Sequence, residues 1–148
     1  MSKQEVLCER YDKETEELIA KDEVGFLSTP LSFFKEKQNE YAYLQSEAFE
    51  SIKVDGLVLE YDEVFEVYTA MFGFSVQKKW KGKIEAFLNE HYNKEKMNYS
   101  LMFSGDEGLW EVNLPLNYID QFNESFSIDE AYQFLITFIQ ALVVAIES

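Results

Sequence analysis

The chain has 148 residues, of which 47% are hydrophobic and 16% aromatic, and a formal net charge of −15. A disordered acidic chain lacks that apolar content, so we expect a single folded domain over residues 1–148. The excess of carboxylates repels phosphate groups, which argues against nucleic acid and membrane surfaces as partners and favours a basic protein. The same acids also keep an aromatic-rich protein soluble, with no partner required.

The charge is unevenly distributed. Residues 1–23 carry eight acids and four bases, residues 46–67 carry seven acids and one base, and no Lys or Arg follows Lys96. Residues 75–96 are locally basic because they contain six lysines.

Cysteine content and hydropathy bear on location. Cys8 is the only cysteine, so no internal disulfide can form. The start of the sequence lacks the pattern of a signal peptide. The longest apolar segment, residues 131–146, is short for a membrane span and contains two glutamines and a threonine, so we expect a buried helix. These features predict a soluble, cytoplasmic protein.

Two helices are expected near the N-terminus. Apolar residues at helical spacing predict an amphipathic helix over residues 3–21. These residues are Leu7, Tyr11 and Leu18. Thr29 as N-cap and Pro30 at the first helical position predict a short helix over residues 30–38. The following "EYAYLQ" fits either a continuation of that helix or a separate strand.

A β-hairpin is expected in residues 50–61, "ESIKVDGLVLEY". Apolar positions alternate on both sides of Asp55 and Gly56, a pair that suits a type I′ turn, so we place the turn there. Residues 62–72 fit a helical face as well as a strand face, and their β-branched and aromatic content favours a strand.

Two further helices have clearer signals. Ser75 is a suitable N-cap for an amphipathic helix with Trp80 and His91 on its apolar side. Ser127 and Glu130 form a capping box at the start of a helix that is apolar nearly all round. That last helix should be the most buried helix of the fold.

A second hairpin is expected around "SGDEG", residues 104–108, because strand-like runs flank it. Trp110 alternates into the core there, and the second strand should end at Pro115 or lie at an edge. The elements together predict an α+β fold, an antiparallel sheet of four to five strands with helices packed on it, in the order α-α-β-β-(β)-α-β-β-α.

This order resembles that of type III secretion chaperones and the small acidic chaperone-like or regulator domains related to them. In those proteins a helix, three strands, a helix, two strands and a helix follow one another. The resemblance covers most of the chain and rests on element order alone, so it assigns no functional residue.

Few residues are candidates for catalysis or metal binding. His91 is the one histidine available as a proton acceptor, and its place on an apolar helix side favours a structural role. Cys8 has no partner residue nearby in sequence, and one Cys and one His give no zinc motif.

Carboxylates offer no better candidate. Acids are densest over residues 55–66, without the spacing of a calcium loop, and a solvated acidic face is favoured over a metal site. Asp106 and Glu107 are adjacent in an exposed turn, which favours a structural turn over a catalytic loop. No phosphate-binding glycine motif is present, so we expect no cofactor and no enzymatic activity.

The remaining interpretation is recognition through surfaces. We expect a small protein-binding module, chaperone-, immunity- or inhibitor-like, that recognises a basic partner. The alternative is a small-ligand-binding or enzyme domain with an aromatic-lined pocket and Asp62 or Glu63 at its mouth. A DNA mimic is a third hypothesis, suggested by charge alone. The 13 Phe and nine Tyr also favour a homodimer that covers exposed apolar surface.

Overall fold

The computed structural model describes residues 6–22, 24–92 and 99–147. A seven-stranded antiparallel sheet has the order β2-β1-β3-β4-β5-β7-β6. The strands are β1 Val6–Asp12, β2 Leu18–Asp22, β3 Glu40–Ser46, β4 Val54–Asp62, β5 Val67–Phe74, β6 Ser100–Ser104 and β7 Leu109–Pro115. The α-helices are α1 Phe33–Glu36, α2 Lys81–His91 and α3 Ile128–Glu147. The predicted α+β class is confirmed, but the sheet has more strands than the four to five expected, in a different order.

The hydrophobic core lies between α2, α3 and one face of the sheet. Leu44, Leu57, Phe72 and Val112 are in register across β3, β4, β5 and β7 and all belong to the core. The segment Ile128–Glu147 is long and apolar enough, by length and composition, to cross a membrane. In this fold its buried side supplies nine core residues, as the sequence predicted for a buried helix.

The N-terminal helix predicted over residues 3–21 is wrong, because this segment forms the β1–β2 hairpin. Asp12 Oδ1 accepts hydrogen bonds from the backbone N–H groups of Glu14 and Thr15, at 2.9 and 3.0 Å, and so fixes the turn. Residues four apart share a face of a strand as well as a face of a helix, so the apolar spacing did not distinguish the two. Residues 3–5 lie outside the described residues.

The hairpin turn predicted at Asp55 and Gly56 is also wrong, because β4 runs through both residues. The β4–β5 register shifts between Val54 and Leu57, which is a β-bulge. The turn lies further on, at residues 63–66. The preference for a strand within residues 62–72 is confirmed for the part that belongs to β5.

The helix predicted over residues 30–38 shortens to the single turn α1, and "EYAYLQ" is the strand β3. Ser75 is not an N-cap, since a 3₁₀ turn at Lys78–Trp80 precedes α2, which begins at Lys81. Three further 3₁₀ segments, Val24–Ser28, Glu47–Ile52 and Leu116–Tyr118, were not predicted.

The C-terminal elements agree with the sequence. The β6–β7 hairpin turns at residues 105–108, and β7 ends at Pro115. The capping box is present: Glu130 N–H donates to Ser127 Oγ at 3.1 Å, and Ser127 N–H donates to Glu130 Oε1 at 2.8 Å. Trp110 is a core residue, 3% exposed.

Candidate functional site

The sheet face opposite the helices, which we call the open face, carries a row of side chains that crosses all seven strands. In register from β2 to β6 these are Lys21, Glu9, Tyr43, Val58, Met71, Asn113 and Ser100. Tyr43, Val58 and Met71 are half-buried, yet they lie outside the core cluster that joins sheet and helices. The described helices leave this face uncovered.

A depression of about 390 Å³ lies on the open face over β4, β5, β7 and β6. Val58 and Met71 contribute apolar atoms to it, as do Met102 and Leu109 on the β6–β7 side. Met102 is 64% exposed, which is unusual for a methionine in a folded domain. The depression therefore contains exposed apolar surface.

Two glycines give the depression its shape. A Cβ at Gly56 would lie 2.4 Å from Tyr43 Oη, and a Cβ at Gly73 would lie 2.4 Å from Asp55 Oδ2. The Tyr43 ring and the Asp55 carboxylate thus occupy the space that side chains at residues 56 and 73 would need. Asp55 Oδ1 also accepts a hydrogen bond from Gly73 N–H at 2.8 Å, which holds the carboxylate across the bulge.

Three carboxylates border the depression, those of Asp55, Glu107 and Glu111. All three residues are exposed, and no Lys or Arg is among the described residues that line the depression. Glu107 belongs to the predicted turn. The sequence did not indicate that this turn lies beside the depression. The combination of apolar lining and acidic border suits the aliphatic stem and terminal charge of a lysine or arginine.

The open face near the β1–β2 turn differs from the depression, because a lysine there partly compensates the acidic charge. Lys13 Nζ lies 3.6 Å from Glu60 Oε2 and donates to Tyr61 O at 2.8 Å. The rings of Tyr11 and Tyr41 stack with centroids 5.4 Å apart. The Tyr11 hydroxyl donates to Glu9 at 2.7 Å, and this hydrogen bond raises the pKa of Tyr11.

The basic segment lies around the start of α2. Lys79 and Lys83 place their ammonium groups 5.0 and 5.1 Å from the Trp80 ring centroid. These lysines belong to elements on the helix side of the sheet, whereas the depression is on the open face. Lys94 and Lys96 lie outside the described residues.

His91 and Cys8 both pack against apolar side chains. The His91 ring stacks on Phe87 with centroids 4.2 Å apart, and its Nδ1 lies 2.9 Å from Phe87 O. This ring nitrogen therefore contacts a backbone carbonyl of its own helix, α2. Cys8 is 3% exposed on the core side of β1 and belongs to the core cluster.

The acids of residues 55–66 do not converge. Asp55 lies near the start of β4, whereas Asp62 lies at its end. Asp62 Oδ1 accepts the N–H groups of Val64 and Phe65, at 2.9 and 3.1 Å. Within the part of the chain that the structure describes, no group of three His, Cys, Asp or Glu side chains could hold a metal ion. Glu63, proposed for a pocket mouth, is exposed on the β4–β5 turn.

Sequence reasoning did not single out Tyr43, Met71, Gly73, Met102 or Glu111. The alternation of Tyr and Ala in "EYAYLQ" was a signal, but the strand assignment there was open. Comparisons with protein families, with curated proteins and with solved structures find no match for this chain.

Proposed function

We propose that this chain is a protein-binding module, chaperone-, immunity- or inhibitor-like, whose open face binds a basic partner protein. One observation carries the proposal: the depression combines apolar lining with three bordering carboxylates and no cation among its described residues. Exposed apolar surface of this kind marks interaction sites. No enzymatic step is required of any residue.

The apolar lining and the acidic border of the depression contribute differently to binding. Met71 and Met102 supply flexible apolar contacts that adapt to a partner side chain. The carboxylates of Glu107 and Glu111 attract a lysine or arginine and fix where its charge lies. Steering by a net charge of −15 accelerates encounter with a basic protein and weakens as salt rises.

The experiment is a pull-down from the cell of origin at low and at high salt with matched variants. Glu107→Gln combined with Glu111→Gln removes two charges at the depression. Glu14→Gln combined with Glu124→Gln removes two exposed charges elsewhere and is the control. We expect wild type and control to retain the same partner at low salt, and the depression variant to bind it about tenfold more weakly, about 1.4 kcal/mol.

The purified partner then gives affinities by calorimetry. Equal loss of affinity in both double variants would show that net charge alone, and not the depression, governs binding. A partner retained equally at low and high salt by all three proteins would contradict the proposal.

A further inference from the structure

The strand β6 forms one edge of the sheet, and no described strand pairs with its outer side. Its sequence is "SLMFS", without a charge or a proline. Ser100 is exposed and Met102 is 64% exposed. An uncharged, apolar edge of this kind is a ready template for pairing with another strand.

The opposite edge, β2, also exposes apolar side chains, Leu18 at 47% and Ile19 at 44%, but it has two features that discourage pairing. It carries the exposed Lys21, and its register with β1 shifts between Arg10 and Tyr11. Charged side chains and bulges both discourage pairing at an edge. The β6–β7 register, by contrast, runs unbroken from Ser100 to Ser104. The two edges therefore differ in charge and in the regularity of their register.

We propose that two copies of this chain pair β6 with β6, antiparallel, about a two-fold axis at Met102. In this register Met102 faces Met102 of the second copy on the open face. Leu101 faces Phe103 of the second copy on the core side, and Ser100 faces Ser104. In each facing pair the two side chains are of the same kind, apolar with apolar or serine with serine. The strand therefore complements itself, as pairing about a two-fold axis requires. The two sheets become one continuous sheet, with a depression on each side of the axis.

Like charge opposes this dimer, since each copy carries −15. The nearest carboxylate on the open face is that of Glu111, directly opposite Met102 on β7. Three strand spacings separate the two copies of Glu111, roughly 14 Å, which exceeds the Debye length of about 8 Å at physiological salt. The dimer therefore strengthens as salt rises, whereas binding of a basic partner weakens. The two proposals can thus fail independently.

The first test is the molar mass of the full chain by light scattering over a range of concentration and salt. We expect wild type to reach twice 17.4 kDa, more readily at higher salt. Met102→Lys places two ammonium groups on the axis and should remain at 17.4 kDa. Val64→Lys makes the same change at a residue that is 77% exposed on the β4–β5 turn, and should still dimerise.

The second test is disulfide formation. Met102→Cys should oxidise rapidly to a covalent dimer, because residues facing each other across antiparallel strands lie about 5 Å apart. Val64→Cys is the control, and the native Cys8 is buried. A wild type that stays monomeric at every concentration and salt would overturn the proposal. So would a dimer that survives Met102→Lys, or equal crosslinking of the two cysteine variants.

Discussion

The Tyr43 ring lies so close over Gly56 that a Cβ at residue 56 would be 2.4 Å from Tyr43 Oη and 2.8 Å from Cε1 and Cζ. Gln45 Nε2 donates both to Tyr43 Oη and, at 2.7 Å, to Asp55 O, and so ties the ring to the bulge of β4. A side chain at residue 56 would therefore force the Tyr43 ring to shift. The same contact forms one wall of the depression.

Gly56→Ala should therefore destabilise the fold. The added methyl group displaces the Tyr43 ring and its hydrogen bond to Gln45, and we expect the free energy of unfolding in urea to fall by about 1 kcal/mol. In a Tyr43→Ala background the same substitution should cost almost nothing, because the obstructing ring is gone. Gly82→Ala is the control: nothing lies within 4 Å of its Cβ position in α2, and the change should stabilise by roughly 0.5–1 kcal/mol. Equal effects at the two glycines would contradict this account.

Local signals predicted the C-terminal half of the fold well. The capping box at Ser127 involves neighbouring residues, and so does the turn of the β6–β7 hairpin. Predictions for the first half of the chain were wrong where one sequence pattern fits two kinds of secondary structure. Leu7 and Tyr11 share a face of either a helix or a strand, and alternation across Asp55 and Gly56 fits a continuous bulged strand as well as a hairpin.

The candidate site could not be predicted from local pattern. Tyr43, Gly56 and Glu111 come from three strands, and they meet because of the sheet order β3-β4-β5-β7. The glycine signals were visible, but a glycine needed for a turn and one needed for close approach look alike in sequence. The net charge did indicate that the surface is acidic. It did not indicate where on the surface carboxylates border apolar side chains.

Ser127→Ala should destabilise the start of α3. The substitution removes the oxygen that accepts the Glu130 N–H at 3.1 Å, and the reciprocal hydrogen bond, which Ser127 N–H donates to Glu130 Oε1, loses its geometry. We expect a loss of about 1 kcal/mol in urea unfolding. Ser125→Ala changes an exposed serine just before the helix and should stay within about 0.5 kcal/mol of wild type. A loss at residue 125 as large as that at 127 would count against the capping box.

Lys53→Gly should stabilise the fold. Lys53 ends the 3₁₀ segment before β4 with φ 62° and ψ 32°, the left-handed region that an L side chain disfavours. Its N–H still donates to Glu50 O, and glycine keeps that bond. We expect a gain of roughly 0.5–1 kcal/mol by thermal and urea unfolding. Lys81→Gly, at a right-handed position with φ −48°, should instead lose stability.

Tyr92→Phe should also stabilise the protein. Tyr92 is 3% exposed, and its hydroxyl has no hydrogen-bond partner among the described residues. Removing a buried, unsatisfied hydroxyl should raise the free energy of unfolding by about 1 kcal/mol at neutral pH. Tyr99→Phe is the control, since its hydroxyl donates to Asn89 Oδ1 at 2.7 Å and its loss should destabilise slightly.

The gain from Tyr92→Phe should grow with pH. Burial raises the pKa of Tyr92 far above its ordinary value. Above about pH 10 the unfolded chain releases this proton while the folded chain keeps it, so the stability of wild type falls by up to about 1.4 kcal/mol per pH unit from this group. Phenylalanine has no ionisable proton, so this contribution to the decrease in the free energy of unfolding is missing in the variant. Urea midpoints of both proteins at neutral pH and above about pH 10 measure the difference. A constant difference across that range would show that the Tyr92 hydroxyl ionises as readily in the folded protein as in the unfolded chain.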